Sequence, residues 1–199
     1  MAQAPNEAGP LYELGFIHGR FQILHNDHLK YLLAGKALCR HLIVGITNPD
    51  PFLTREDEAD QNRSRRDANP LSYFERYTLV KGALLDAGLS CPDFSVVPFP
   101  INLPELYFCY VPKKAVFFVS IYDDWGRKKR DTFLGLGLKT HVLWEVPPEQ
   151  KGISASDIRA AILLGQPWED LVPAGVAQHL KDWNIFQRLK DMQGQNILC

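Results

Sequence analysis

Two histidines of the sequence, His25 and His28, are three residues apart and follow closely after Gly19 and Arg20. An imidazole that is protonated, or that donates its N–H, can stabilise negative charge on a phosphoryl group during transfer. An arginine can bind phosphate oxygens bidentately, and a glycine allows the backbone to approach a ligand closely. The segment therefore indicates an anion site. On spacing alone, surface or helix-capping histidines are commoner, and a metal site would lack a matching third ligand.

Apolar segments of the strand type alternate with helical patterns along the chain, which predicts an α/β fold with a parallel sheet. Sites in such folds lie at the carboxyl ends of the strands. Residues 19–28 join the first predicted strand to the first predicted helix, where unpaired N–H groups favour a phosphate. The predicted strands cover residues 11–17, 41–47, 94–99, 115–121 and 140–146, and the predicted helices cover residues 27–38, 72–87, 124–136, 154–164 and 175–190.

A second candidate site lies at the start of the helix predicted from residue 154. Ser154 and Asp157 have the spacing of a capping box, and this is the simpler interpretation of the segment by itself. The alternative is an anion cradle formed by the helix N-terminus, the hydroxyls of Ser154 and Ser156, and Arg159. Such a cradle would suit the β- and γ-phosphates of a nucleoside triphosphate.

Both segments resemble signatures of one family. Gly19-Arg20-Phe21-Gln22 with His25 and His28 is similar to the GRFQPxHxGH pattern of the HIGH-type nucleotidyltransferase superfamily. The segment from Ile153 to Arg159 is similar to its second signature, ISxTxIR. This resemblance implies a Rossmann-like nucleotidyltransferase fold: a parallel sheet flanked by helices, with a small C-terminal helical segment. The chain departs from the pattern at Ile23, where the family often has proline, and at Asp27, where it usually has glycine.

Two further segments, 69–76 and 165–173, resemble the NPFTxxER and GxxWxxLVP segments of archaeal-type nicotinamide-nucleotide adenylyltransferases. The resemblance implies transfer of AMP from ATP to nicotinamide mononucleotide, which gives NAD and pyrophosphate and requires Mg²⁺, with no metal ligand assigned to the protein. It also implies roles for individual residues. The catalytic residues would be Arg20, His25, His28 and Arg159; the ATP-binding residues would be Gly19, Arg20, Phe21, Gln22, His28, Ser154, Ser156 and Arg159; and the acceptor-binding residues would be Arg76, Tyr107 and Tyr110.

Three departures leave the substrates open. Tyr107 stands where the family has a tryptophan that stacks on nicotinamide, and core packing is the alternative for these aromatic residues. The family's SGN segment is Ser120-Ile121-Tyr122 here, and the loop over residues 54–68 has no counterpart. A related nucleotidyltransferase that uses CTP or another phosphorylated acceptor is therefore the second hypothesis. The third is a nucleotide-binding regulatory module that is catalytically weak.

The composition sets the remaining expectations. The 199 residues suggest a disordered lead-in over residues 1–10 and a single domain over residues 11–199, with C-terminal helices from about residue 154. A net charge of −1 argues against nucleic-acid or membrane partners, and basic clusters such as residues 127–130 are expected to be solvated. Four cysteines without a CxxC pair, and no signal peptide, predict a cytoplasmic protein. The family resemblance implies a homo-oligomer.

Overall fold

The computed structural model describes residues 9–50 and 66–195. Within these residues, five strands form one sheet in which every neighbouring pair is parallel. The order across the sheet is β3-β2-β1-β4-β5. The strands are β1 (Tyr12–Gly19), β2 (Cys39–Thr47), β3 (Phe94–Phe99), β4 (Val116–Ile121) and β5 (Thr140–Glu145).

Helices cover both faces of this sheet and bury a separate apolar cluster on each. On one face, side chains of the sheet pack with Leu32, Leu79 and Ile158; on the other, Phe16 and Phe117 pack with Phe133. The helices are α1 (Asn26–Leu38), α2 (Tyr73–Asp86), α3 (Tyr107–Tyr110), α4 (Asp124–Gly135), α5 (Ala155–Leu163), α6 (Ala174–Asp182) and α7 (Ile185–Gln195). None of the helices in the described residues is long and apolar enough to cross a membrane.

Strand β1 is central to this arrangement because its side chains point alternately to the two faces. Phe16 belongs to one apolar cluster and its neighbour Ile17 to the other, as the period of two in a strand requires. Strand β1 pairs with β2 on one side and β4 on the other. The chain therefore builds outward to β3 and then returns to add β4 beside β1. Open α/β sheets bind their ligands at such a reversal of strand order.

The structure confirms the predicted α/β fold with its parallel, Rossmann-like sheet, and each of the five predicted strands lies at or near its expected position. The single helix predicted over residues 175–190 was wrong, because α6 and α7 are separated at Trp183 and Asn184. Asn184 has a φ of +48°, a left-handed conformation that asparagine tolerates better than most residues and that ends a helix. Residues 1–8 and 51–65 lie outside the described residues, so the predicted lead-in and most of the predicted loop are not described.

Gly15 on β1 tests how tightly this sheet is packed. A Cβ atom at this position would lie 2.3 Å from Cε2 of Phe118 and 2.7 Å from Sγ of Cys39. We expect Gly15→Ala to lower the free energy of unfolding by about 1–3 kcal/mol in urea denaturation, because overpacking forces neighbours to move. The control is Gly82→Ala in α2, where nothing lies within 4 Å. This change should raise stability by about 0.5–1 kcal/mol, and equal effects of the two substitutions would contradict the packing argument.

Candidate active site

A cavity of about 300 Å³ lies where the strand order reverses, at the carboxyl ends of β1 and β4. The first turns of α1 and α5 also line it, so backbone N–H groups of two helices are available at one site. We call it the central cavity. Its lining includes nine of the residues assigned by the family resemblance: Gly19, Arg20, Phe21, Gln22, His25, His28, Ser154, Ser156 and Arg159.

His25 is the N-cap residue of α1. Its Nδ1 accepts a hydrogen bond from the His28 backbone N–H at 3.4 Å, so the neutral ring carries its proton on Nε2. Burial lowers the pKa of His25 to about 4, against the opposing effects of the nearby carboxylates of Asp27 and Asp157. At neutral pH the ring is therefore uncharged, and it presents an N–H donor rather than a fixed positive charge.

The His28 ring stacks on the His25 ring, with centroids 3.7 Å apart and planes inclined by 28°. The edge of Phe21 packs against it at a centroid distance of 5.1 Å. Burial, followed by the neighbouring His25, lowers the pKa of His28 well below its ordinary value. The buried Nδ1 atom of His28 has no hydrogen-bond partner among the described residues. A buried nitrogen of this kind needs a partner, and a ligand oxygen in the central cavity would supply one.

The loop between β1 and α1 is held from behind by two buried polar side chains. Gln22 forms a reciprocal pair with Leu71, in which Nε2 donates to the Leu71 carbonyl and Oε1 accepts from the Leu71 N–H, both at 2.8 Å. Arg76 of α2 donates to the carbonyl oxygens of Arg20 (3.0 Å), Thr47 (2.6 Å) and Asn48 (2.8 Å). Burial lowers the pKa of Arg76 to about 10.

These contacts change the interpretation of two predicted binding residues. Arg76 does not line the central cavity, and its guanidinium donates to four backbone carbonyls, the fourth being that of Ser72 at 3.3 Å. The structure thus places Arg76 behind the site, where it holds the loop, and its predicted role in acceptor binding stays a prediction. Gln22 does line the cavity, but both polar atoms of its side chain are bonded to Leu71. The sequence could not reveal this because Gln22 and Leu71 are 49 residues apart.

Phe21 explains the need for glycine at position 19. Its backbone has a φ of +52°, which folds the ring back over the preceding strand end. A Cβ atom on Gly19 would lie 2.8 Å from Cζ of Phe21. The sequence predicted that Gly19 allows a close approach of the backbone to a ligand. In the structure, Gly19 also allows the ring of Phe21 to approach the backbone closely.

At the second motif the structure contains the capping box and the predicted cradle residues together. The Ser154 hydroxyl accepts from the Asp157 N–H at 3.3 Å, and the Asp157 carboxylate accepts from the Ser154 N–H at 2.8 Å. Arg159 donates to the Ser156 hydroxyl at 3.0 Å and to the Gln22 carbonyl oxygen of the first motif. Arg159 therefore connects the two motifs while lining the central cavity.

The two tyrosines assigned to the acceptor lie outside the lining of the central cavity. Tyr107 is 2% exposed, packs against Phe99 and Phe133, and donates its hydroxyl to the Ile101 carbonyl at 2.6 Å. It is a core residue, which was the alternative interpretation of the sequence, and its ring is not available for stacking on a nicotinamide. Tyr110 is partly exposed at the end of α3.

Sequence reasoning missed several residues that line the central cavity. The basic cluster at residues 127–130 was expected to be solvated, yet Lys129 of α4 reaches the cavity. Its signal was present in the sequence, because the cluster lies on the helix that directly follows β4. The Tyr122 hydroxyl is fixed by the Trp144 indole N–H at 2.6 Å. The further lining residues that carried no assignment are His18, Asp27, Tyr31, Ser120, Tyr122, Lys151, Ile153 and Ala155.

The charge of the cavity lining favours an anionic ligand. Arg20, Lys129, Lys151 and Arg159 supply four cationic side chains, against the single carboxylate of Asp27. Within residues 9–50 and 66–195, no group of three His, Cys, Asp or Glu side chains is arranged to hold a metal ion. A divalent cation at this site would therefore depend on oxygen ligands from a bound phosphate chain and from water.

The sheet order, the cavity at its reversal and the paired helix N-termini define a Rossmann-like protein of the type that binds nucleotides. No protein-family model matches the chain. It is 48% identical, over 88% of its length and 95% of the relative, to phosphonoformate cytidylyltransferase of Streptomyces viridochromogenes. It is 28% identical, over 89% of its length and 88% of the relative, to nicotinamide-nucleotide adenylyltransferase of Pyrococcus horikoshii.

Solved structures share the fold. A bifunctional NMN adenylyltransferase/ADP ribose pyrophosphatase from Francisella tularensis superposes with a TM-score of 0.67 at 15% identity, over 93% of this chain and 53% of that one. A putative nicotinate-nucleotide adenylyltransferase from Vibrio parahaemolyticus gives a TM-score of 0.55 at 17% identity, over 85% and 98% of the two chains. This chain belongs to the HIGH-type nucleotidyltransferase superfamily.

The low pKa of His25 makes stability depend on pH. Its pKa is about 4 in the folded protein and near 6.5 in the unfolded chain, so the unfolded chain binds more protons between these values. We expect the free energy of unfolding to fall as the pH drops from 6.5 towards 4, by at most about 1.4 kcal/mol per pH unit from this residue. Urea denaturation at several pH values would measure the slope.

The matched control for this pH dependence is His25→Asn. Asparagine keeps an N-cap acceptor for α1 but does not titrate. The slope below pH 6.5 should become shallower, although His28 still contributes. An unchanged slope in His25→Asn would show that other groups cause the pH dependence.

Proposed function

We propose that this protein is a cytidylyltransferase that transfers CMP from CTP to a small phosphonate acceptor, with phosphonoformate as the leading candidate. The observation that supports this most strongly is the 48% identity to a phosphonoformate cytidylyltransferase, over 95% of that relative's length. The sequence alone led first to ATP and nicotinamide mononucleotide, with CTP as the alternative. The higher identity to a cytidylyltransferase favours the alternative.

The proposed reaction is a direct in-line displacement. A phosphonate oxygen of the acceptor attacks the α-phosphorus of CTP and forms a new P–O bond, while the bond from the α-phosphorus to the bridging oxygen breaks and pyrophosphate leaves. No covalent enzyme intermediate is required. The protein contributes by holding both reactants in line and by stabilising the charge on the oxygens in transit.

The residues around the central cavity have chemistry suited to these roles. The rings of His25 and His28 are uncharged in the free protein, so they would donate N–H groups to phosphate oxygens. A bound triphosphate would raise the pKa of both rings, because a nearby negative charge favours the protonated form. Arg159 and the N-terminus of α5 would contact the departing phosphates.

Two features favour a small, highly charged acceptor. Tyr107 is buried and hydrogen-bonded in the core, so the described residues offer no ring at that position for a nicotinamide. Lys129 and Lys151 line the cavity in addition to Arg20 and Arg159. In phosphonoformate the phosphonate phosphorus is bonded directly to the carboxylate carbon, and cationic side chains suit such a ligand.

Mg²⁺ is part of this proposal through the nucleotide. The described residues provide no three-ligand cluster, so the ion would be held by phosphate oxygens and water, with at most one or two protein carboxylates. Its chemistry would be to neutralise charge on the triphosphate.

The second candidate function is adenylyl transfer to nicotinamide mononucleotide, favoured by the 28% identity to the archaeal enzyme over most of both chains.

A substrate comparison tests the two candidates directly. Purified protein with Mg²⁺ would be given CTP or ATP together with phosphonoformate or nicotinamide mononucleotide, and pyrophosphate release would be followed with product analysis. We expect CTP with phosphonoformate to be preferred by about tenfold or more in kcat/KM, because nucleotide and acceptor pockets discriminate by transition-state contacts. Faster NAD formation from ATP and nicotinamide mononucleotide would reverse the assignment. No pyrophosphate from any pair would favour a regulatory module.

His28→Ala tests the proposed role of the stacked histidines. Loss of a donor to charge that develops in the transition state should lower kcat by about 10²–10³-fold. The substitution also removes the stacking of His28 on His25 and its contact with Phe21, so the urea midpoint should fall, and kcat is compared under conditions in which both proteins are fully folded. His179→Ala is the matched control, because His179 is in α6, outside the lining of the central cavity. Turnover close to wild type in His28→Ala would exclude a direct role for His28.

A further inference from the structure

Asp27 reaches from the start of α1 to the loop that precedes α5. Its Oδ2 atom accepts a hydrogen bond from the Ile153 backbone N–H at 3.0 Å, a contact between residues 126 positions apart. Asp27 lies in the first turn of α1, two residues after the N-cap His25. Ile153 immediately precedes Ser154, the N-cap of α5. The carboxylate therefore links the beginnings of the two helices that line the central cavity.

Gly152 fits this carboxylate closely. Its φ of +73° is a left-handed conformation that favours glycine. A Cβ atom on Gly152 would lie 2.3 Å from Oδ2 of Asp27, which is far closer than the two atoms could approach. The backbone at Gly152 is thus constrained both by its own conformation and by the carboxylate packed against it.

A second connection runs parallel to the first. Arg159 of α5 donates to the Gln22 carbonyl oxygen in the loop before α1. The two helix starts are therefore joined at two places, once by a carboxylate from the first motif and once by a guanidinium from the second. Both helix N-termini, with their backbone N–H groups, line the same cavity.

We propose that Asp27 is a positioning residue: it holds the Gly152–Ser154 loop against α1 so that the two triphosphate-binding helix starts keep a fixed separation before the nucleotide arrives. A carboxylate near a triphosphate repels it. Asp27 would therefore contribute by positioning the loop and not by contacting the ligand. Preorganisation lowers the cost of ordering the site on binding. The kinetic consequence rests on the proposed function, whereas the contact itself does not.

The opposite role is that Asp27 occupies the position of a phosphate oxygen and must be displaced. The hydrogen bond to the Ile153 N–H and the close packing against Gly152 favour a permanent brace, because both contacts hold Oδ2 against the loop. The charge of Asp27 has a separate effect, since it raises the pKa of His25 against the stronger influence of burial. Asp27→Asn separates these effects because the amide oxygen still accepts a hydrogen bond but carries no charge.

The contact is tested first by unfolding, without any substrate. Gly152→Ala should lower the urea midpoint more than Gly137→Ala, since Gly137 has a matching φ of +72° but nothing within 4 Å. In an Asp27→Ala background, the two alanine substitutions should have similar effects because the clash has been removed. If Gly152→Ala still lowers the urea midpoint more than Gly137→Ala does, and by the same margin, after Asp27 is replaced, the proposed packing is wrong.

The role in catalysis is tested by steady-state kinetics with the nucleotide and acceptor that the wild-type protein uses. Asp27→Ala should lower kcat/KM for the nucleotide by about 10–100-fold, since small displacements of reacting groups have effects of this size. Asp27→Asn should keep most of the wild-type kcat/KM. The acidic limb of its profile of kcat/KM against pH should lie at lower pH than in the wild type. The control is Asp191→Ala on α7, whose carboxylate bonds only to Gln187 among the contacts described.

The outcomes separate this inference from the proposed function. A lower KM for the nucleotide in both Asp27→Ala and Asp27→Asn would mean that the carboxylate competes with phosphate, and it would overturn the brace. An equal loss of kcat/KM in both variants would also overturn it, because the amide can keep the hydrogen bond. If wild-type protein prefers ATP to CTP, the proposed function fails while the unfolding cycle still tests the contact between Asp27 and Gly152.

Discussion

The beginnings of α1 and α5 line one cavity, and most features of the site follow from that convergence. A helix N-terminus carries partial positive charge and lacks internal hydrogen-bond partners. Strand β1 leads into α1, and β5 leads through a turn into α5. Because β4 lies beside β1 and β5 lies beside β4, with all strands parallel, the two helix starts lie at the same edge of the sheet. An anion with several phosphates can therefore contact both.

Buried polar side chains keep this edge in place. Burial of a guanidinium is unfavourable unless its N–H groups are satisfied, and Arg76 satisfies them with the carbonyl oxygens of Arg20, Thr47, Asn48 and Ser72. Gln22 pairs with the backbone of Leu71 in the same region. Arg76 therefore supports the loop from behind the cavity, whereas Gln22 lines the cavity and holds the loop through Leu71. The cavity lining includes His25, His28 and Arg159, together with Arg20, Lys129 and Lys151.

Other side chains surround the two family signatures in the fold. Both family signatures are present in the central cavity. The aromatic segment after β3 forms the short helix α3 and turns Tyr107 into the core. On the other side, Tyr122 is fixed by Trp144, and Lys129 and Lys151 add positive charge. One type of fold can carry different activities, because the residues that surround a shared motif can differ.

The sequence by itself determined the order of strands and helices, the parallel sheet and the two phosphate-type motifs at strand-to-helix junctions. These features depend on local periodicity and on residue types within a few positions, such as His25 with His28 and Ser154 with Asp157. Only the tertiary structure decided which polar side chains face the cavity and which support it. That outcome depends on contacts between residues distant in sequence, such as Asp27 with Ile153, and the hydrophobic pattern carries no information about such contacts.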